Sequence, residues 1–429
     1  MKDMTDINMY SNDLFSNRDE KGYLMISSIN FIPESREKMG NDKRIKNWIL
    51  TTDQKAYMIK TNALLDGKEN YLEFAELITR KIAEKLNIEY ANYDIINYSG
   101  ECGIITEKIV SQDEELITLE DIINGAIAHP DNIEIIDYPL LVKTLNKKLR
   151  ELNFLESDIE NINTELSKRL LFDIVIGCTD RHTENVSFIY NNKTGRIKLS
   201  PIYDSENSLL LEYDKELILS LAKNLRGAID AANAIYPKIA VVPRQCSKNN
   251  EILNSTIEFL LNNENPEVED FAYDMIDNVD IYNILDEVEK DVNAKLPEEI
   301  RAVVSTCIET RLNILNDVLS GNIIVNYDWE YMNSIKERIE IKRAYKEAGR
   351  YKVLYLNNEI GKYLVDDEKD EYIPDIEEIE KMDIKVFPLL KNNIIEKDIV
   401  FFSSRINNCK RFGGKIGYQT DNIELVKEE

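Results

Sequence analysis

The chain has little that would staple it covalently or seat it in a membrane. Its five cysteines, Cys102, Cys178, Cys246, Cys307 and Cys409, are odd in number, far apart and never in a CxxC pair. That excludes a disulfide framework and offers no zinc-ligand spacing. No apolar run approaches the ~20 residues that a membrane-spanning helix needs, and Met1 to Glu20 show no signal-peptide pattern. The chain therefore reads as soluble and cytoplasmic, with a secreted effector as the alternative. Internal repeats and low-complexity linkers are absent. Positive charge is scarce: 53 Lys and Arg stand against 79 Asp and Glu, a net charge of -26. Phosphate backbones and anionic leaflets are bound through accumulated Lys and Arg, so neither nucleic acid nor a membrane surface is expected as a partner.

What is present is a chain of 429 residues, 43% hydrophobic and 31% charged. That exceeds what one core usually supports, so more than one unit is expected. Boundaries come from changes in periodicity. NWIL-TTDQ-KAYMIKTN, from Asn47, reads as two strands around a turn. In Tyr71 to Leu86, Leu72, Ala75, Ile78, Ile82 and Leu86 recur at steps of three and four, the spacing of an amphipathic helix. YDIINY, a turn and GIITEKIV then give a second hairpin. Residues 1–110 thus read as a small β-rich lobe with one packed helix. Residues 111–345 read as mostly helical, with helices over 157–173, 251–262, 281–296 and 299–319 and one β-rich insertion around 172–210. Residues 346–429 alternate short apolar runs with acidic stretches and read as a small α+β accessory domain. Two local basic stretches interrupt the acidic background. Arg36 to Lys46 holds five basic residues against two acidic, and Lys336 to Lys352 holds seven against three, at a spacing that reads as a solvated helix face.

The segment Leu171 to Ser208, LFDIVIGCTDRHTENVSFIYNNKTGRIKLSPIYDSENS, carries the chemistry. An apolar element delivers a polar loop with Asp180, His182 and Asn185. VSFIY follows as a strand, NNKTG turns, and RIKLSPIY returns to Asp204. With a rise of ~3.3 Å per residue, strands of this length joined by a tight turn bring Asp204 back beside Asn185. Phosphoryl transfer needs such an array, because its catalysis is mostly positioning and neutralisation of charge on metal-bound phosphates. Asp180 and Asn185 are five positions apart, the separation of base and metal ligand in kinase catalytic loops. The expected roles are Asp180 facing the acceptor hydroxyl, Asn185 and Asp204 holding Mg2+, and His182 ordering the loop. One of only two histidines in the chain falls here. Turn-forming Asp, His and Asn are the bland alternative, and the joint order of elements weighs against it.

DRHTEN followed by a hairpin and SPIYDSENS resembles the HipA-like branch of the protein-kinase-like superfamily, whose catalytic loop reads Asp-x-His-x-x-Asn. The same loop pattern occurs in phosphatidylinositol kinases. The resemblance covers about Phe31 to Leu319. It implies an α+β, two-lobed kinase-like fold, an Mg2+- and ATP-dependent Ser/Thr protein kinase, a protein substrate, and a toxin of a toxin-antitoxin pair with an antitoxin-type partner. It also implies Lys60 as the nucleotide-anchoring lysine, paired with Glu76, or with Glu73 one turn earlier. Adenine would be received at a hinge near Glu107 to Ile109. No GxGxxG precedes Lys60. ESREKMGNDKR would cover the phosphates instead, with Ser35, Gly40 and Lys43, and Ser35 is a candidate autophosphorylation site. A lipid or small-molecule kinase and a nucleotide-binding pseudokinase remain the alternatives.

Overall fold

The computed structural model describes residues 18–26, 46–50, 56–62, 70–98, 100–111, 113–123, 135–241, 249–262, 265–321, 349–355, 358–365, 371–374 and 423–428. The first elements are β1 (Leu24–Ile26), β2 (Lys46–Leu50), β3 (Ala56–Thr61), α1 (Leu72–Lys85), β4 (Tyr93–Tyr98) and β5 (Glu101–Glu107). They form a five-stranded sheet in the order β1-β4-β5-β3-β2, antiparallel except for the β1–β4 pair. Both expected hairpins are present, and α1 lies within one residue of its expected end. Its apolar stripe explains why it forms: Leu72, Ala75, Ile78 and Ile82 are all buried. Removing the leucine and isoleucine side chains from water contributes on the order of 1.5–3 kcal/mol each, and the Ala75 methyl less.

The chain leaves this sheet at Glu107, and β6 (Glu114–Thr118) joins a different one. After it come α2 (Leu119–Ile123), β7 (Ile136–Asp137), α3 (Tyr138–Glu151), α4 (Glu156–Ile176), β8 (Ser187–Asn191) and β9 (Ile197–Leu199). Strands β6, β8 and β9 make a three-stranded antiparallel sheet. Two sequence expectations are corrected here. The apolar element LFDIVI is the last turn and a half of α4, not part of a β insertion. Its side chains are buried all round, and a helix with no polar face loses the periodicity that would identify it. Residues 114–118, at the start of the supposedly helical region, are a strand with alternating burial.

Helices α5 (Lys215–Lys223) and α6 (Leu225–Ala234) lead to β10 (Ile239–Ala240), which pairs with β7 in parallel. Helices α7 (Asn249–Leu261), α8 (Pro266–Asn278), α9 (Ile281–Val292) and α10 (Glu298–Leu319) complete the helical part. Long, largely buried α10 packs on α4, α5, α6 and α7, so the core sits around it. The described residues beyond 345 form an antiparallel sheet of β11 (Gly349–Tyr355), β12 (Asn358–Val365), β13 (Glu371–Pro374) and β14 (Ile423–Lys427), ordered β13-β12-β11-β14. The basic stretch read as a helix face therefore ends in a strand, and its residues 336–348 lie outside the described residues. Among the described residues no helix is long and apolar enough to cross a membrane.

Candidate active site

Helix α4 ends at Gly177, whose φ of 64° is left-handed, a conformation that L side chains adopt only with strain. A Cβ there would also meet Ile235 Cδ1 at 2.8 Å. This turn launches the loop that carries Asp180 to Asn185. Backbone bonds from His182 N to Asp180 O (3.0 Å) and from Asn185 N to His182 O (3.0 Å) wind it tightly. The Asn185 Nδ2 closes the ring by donating to Asp180 O at 3.0 Å. Arg181, between them, is buried and uses its whole fork. Its Nε and Nη2 hold the Asp173 carboxylate, Nη1 donates to Asn185 O (3.1 Å) and Tyr203 O (2.7 Å), and Nη2 reaches Ser205 Oγ (2.8 Å). One guanidinium thus joins α4, the 180–185 loop and the 203–205 segment.

The 203–205 segment is held from the other side as well. Ala91 N donates to Ile202 O and Ile202 N to Glu89 O, each at 2.8 Å. Ser205 N donates to Glu76 Oε1 at 2.7 Å, and Asp204 N to the Tyr93 hydroxyl at 3.2 Å. Asp204 itself sits at φ 57°, a region where Asp is among the better-tolerated residues. Lys60, at the end of β3, places its Nζ 2.7 Å from Asp204 Oδ1 and 2.7 Å from Glu206 Oε2. Gly103 on β5 lets β3 approach there: a Cβ at that position would lie 2.3 Å from Lys60 O.

Glu76, the expected partner of Lys60, lies close enough for the lysine's charge to favour its ionised form. Among the described residues the Lys60 ammonium pairs with Asp204 and Glu206. Glu76 also accepts from Ser205 N and, through Oε2, from the Tyr90 hydroxyl at 2.7 Å. Glu76 has no solvent exposure, and burial, followed by the nearby Asp204 carboxylate, pushes its carboxyl up to about 8. The rival Glu73 accepts from Tyr23 OH (2.7 Å) and Asn62 Nδ2 (2.5 Å), and burial raises its pKa as well. Burial holds the His182 imidazole below its ordinary value, and its Nδ1 accepts from Glu184 N at 3.2 Å. Glu107 is the last residue of β5, Lys108 N still bonds Ala56 O at 2.8 Å, and Ile109 lies in the connection to β6. Ser35, Gly40 and Lys43 lie outside the described residues.

The structure therefore brings Asp180, Asn185 and Asp204 onto adjoining loops tied by Arg181, with Lys60 of β3 ion-paired to Asp204. It also shows neighbours that the sequence did not single out. The Asp180 carboxylate is flanked by an ion pair from Lys238 to Oδ1 and by Asn207 Nδ2, 3.2 Å from Oδ2. Glu206 and Asn207 stood within the DSENS run, where a second acidic residue beside Asp204 was the available signal. Lys238 lies 58 residues from Asp180, with nothing to connect them in a linear reading. The donor set suits a hard cation that arrives with phosphate. Among the described residues no cluster of three or more His, Cys, Asp or Glu side chains could hold a metal alone. Asp204 and the Asn185 Oδ1 offer two oxygens, which matches the habit of Mg2+ of completing its shell with water and phosphate oxygens.

Comparison with known proteins bears on the fold and the family. The structure resembles the crystal structure of the Helicobacter pylori proinflammatory kinase CtkA, with a TM-score of 0.52, 15% identity, and 68% of this chain and 96% of that chain covered. Weaker likenesses are to the Shewanella oneidensis HipA in its complex with HipB and operator DNA (TM-score 0.40, 13% identity, 68% and 69% covered) and to an aminoglycoside phosphotransferase from Alicyclobacillus acidocaldarius (TM-score 0.20, 10% identity, 73% and 96% covered). No curated protein matches the sequence. The family described as the HipA-like C-terminal domain matches residues 35–263, more than half of the chain and the whole span from Lys60 to Lys238. The mixed α/β fold is thus one shared with a kinase, and the chain belongs to the HipA-like family.

Proposed function

We infer that the protein is an ATP-dependent phosphotransferase that passes the γ-phosphoryl group to a Ser or Thr hydroxyl of a protein. The observation that carries this reading is the convergence of Lys60, Asp180, Asn185 and Asp204, with Lys60 Nζ 2.7 Å from Asp204 and Asn185 bonded to Asp180 O at 3.0 Å. The sheet β1–β5 with α1 is read as the nucleotide lobe, residues 111–345 as the catalytic lobe, and residues 346–429 as an accessory domain for partner or substrate.

ATP with Mg2+ would supply the phosphoryl group and a metal that neutralises charge on its oxygens. Asn185 and Asp204 would hold that metal. Lys60 would donate to phosphate oxygens. Asp180 would orient the acceptor hydroxyl and take its proton as the hydroxyl oxygen bonds phosphorus and the bond to the ADP oxygen breaks. Lys238 and Asn207 keep the Asp180 carboxylate aimed. His182, bonded to its own loop and kept neutral by burial, orders the loop rather than moving protons.

The test is incubation with labelled ATP and Mg2+ in the presence of candidate acceptors. Label on protein supports the reading, label on lipid or a small molecule alone supports the second enzyme reading, and nucleotide binding without transfer supports a binding module. Asp180→Asn should abolish transfer with folding and ATP binding nearly intact, and full activity in that variant would sink the assignment. An antitoxin-type partner is expected from the resemblance, and co-purification with the product of an adjacent small helix-turn-helix gene tests it.

A further inference from the structure

Strand β6 runs straight into α2, and its register against β8 decides what lies beside the 180–185 loop. Thr118 pairs with Ser187, so the ladder stops where the loop ends. Two further bonds carry the contact past the strands: Leu119 N donates to Val186 O at 2.7 Å, and Glu120 N donates to Thr183 O at 3.1 Å. The Glu120 side chain turns back on the same residue, and its Oε2 accepts from Thr183 Oγ1 at 2.6 Å. Glu120 thus clasps Thr183 at two points, and both residues are buried. The helix start that carries Glu120 is fixed by a reciprocal cap. Asp121 N donates to Thr118 Oγ1 at 3.0 Å, and Thr118 N and Oγ1 donate to Asp121 Oδ2 at 3.2 and 2.8 Å.

Thr183 lies between Asp180 and Asn185. Arg181 ties this loop to Asp173 of α4 and to the Asn185 carbonyl, whereas Glu120 holds the middle of the loop from an element 63 residues earlier. A buried carboxylate gives up hydration, and an apolar side chain of similar volume usually serves packing as well or better. What the carboxylate adds is direction, because a charge-assisted O–H···O− bond is about twice as strong as a neutral one. A catalytic loop needs direction: displacing a reacting group by ~1 Å can cost on the order of a hundredfold in rate.

We propose that Glu120 is a positioning residue for phosphoryl transfer, whose clasp on Thr183 holds the loop so that Asp180 and Asn185 face the phosphoryl group together with Asp204. The proposal rests on the phosphotransferase reading. Glu120 acts through Thr183 and takes no part in the chemistry itself.

Glu120→Leu removes the carboxylate while keeping much of its volume and the backbone bond to Thr183, and Glu120→Gln keeps an acceptor oxygen for the Thr183 hydroxyl. Two measurements on the full chain test the clasp. One is transfer of label from Mg-ATP to protein of a heat-inactivated cell lysate at varied ATP, and the other is hydrogen exchange of the backbone amides of residues 178–186. In Glu120→Leu the rate at saturating ATP should fall roughly tenfold to a hundredfold, KM for ATP should stay within about twofold, and exchange in 178–186 should quicken. Glu120→Gln should recover most of both losses. Thr183→Val breaks the same bond from the other side, so adding it to Glu120→Leu should cost little more. If Glu120→Leu does not fold, Thr183→Val against Thr183→Ser carries the same comparison. Unchanged exchange in Glu120→Leu, faster exchange with an unchanged rate, or a loss that Glu120→Gln does not recover would each overturn the proposal. A wild type that transfers no label would sink the phosphotransferase reading and this proposal with it, whereas an active wild type with an equally active Glu120→Leu sinks the proposal alone.

Discussion

Replacing Arg181 by lysine keeps the charge and removes the fork, which separates electrostatics from geometry at the centre of the site. In the wild type the guanidinium serves four groups: the Asp173 carboxylate, the carbonyls of Asn185 and Tyr203, and Ser205 Oγ. An ammonium has three donors and no planar fork, so at least one buried acceptor loses its partner and the bidentate grip on Asp173 becomes single. Each buried acceptor left unpaired costs about 1–3 kcal/mol, which places Arg181→Lys at roughly 2–4 kcal/mol. Arg181→Met strands Asp173, whose pKa burial already raises, and should cost about 3–5 kcal/mol. Urea denaturation of both variants gives the stability change. Single-turnover phosphoryl transfer gives the functional one, where the lysine variant should be slowed even under conditions in which it is fully folded. A lysine variant with an unchanged midpoint and unchanged transfer would show that Arg181 does not tie the two loops, and the account of the site would fail at its centre.

Further expectations follow from neighbouring residues. Gly103→Ala should weaken ATP binding more than it lowers stability, since the new Cβ presses on the backbone of Lys60; nucleotide titration against a melting curve separates the two. Gly177→Ala should cost about 1–2 kcal/mol through its left-handed φ alone, read from the denaturation midpoint. Lys238→Met should slow transfer while nucleotide affinity holds, and an equal loss of both would argue against its placement on Asp180. The folded protein holds the Glu76 proton up to about 8, whereas the unfolded chain releases it near 4.5. The stability it contributes is therefore fully present below 4.5 and is lost as pH rises through about 8, at up to about 1.4 kcal/mol per pH unit. Glu76→Gln should flatten the stability profile across that window.

Much of the site was readable because its residues are close in the chain. Asp180, Asn185 and Asp204 share one loop and one hairpin, and the hairpin 187–199 has its expected strands and turn. The strand-strand-helix-strand-strand order was readable because α1 keeps its apolar residues at helical spacing and short apolar runs flank turn-forming residues on either side. What was hidden is either long-range or uniformly buried. The last turns of α4 carry no polar stripe, so LFDIVI could not be told from a strand. Strand β6 pairs with a partner some seventy residues on, at the Glu114–Asn191 register. Lys238 reaches Asp180 only through the folding of α5 and α6 between them. Glu76 accepts from the Ser205 N–H and the Tyr90 hydroxyl, and sequence spacing does not report such donors.

The position of Lys60 between Asp204 and Glu206 has a consequence for ligand order. The nucleotide-free protein carries an internal counter-ion: one ammonium bridges two carboxylates and offsets one of their two charges, and the proposed metal needs one of those carboxylates. A metal arriving alone must evict that ammonium and should bind weakly. A polyphosphate arriving alone gains the ammonium but exposes a carboxylate pair to its own negative charge. Arriving together, each removes the obstacle to the other, so metal and nucleotide affinities should be positively coupled, by the same factor in either order of addition.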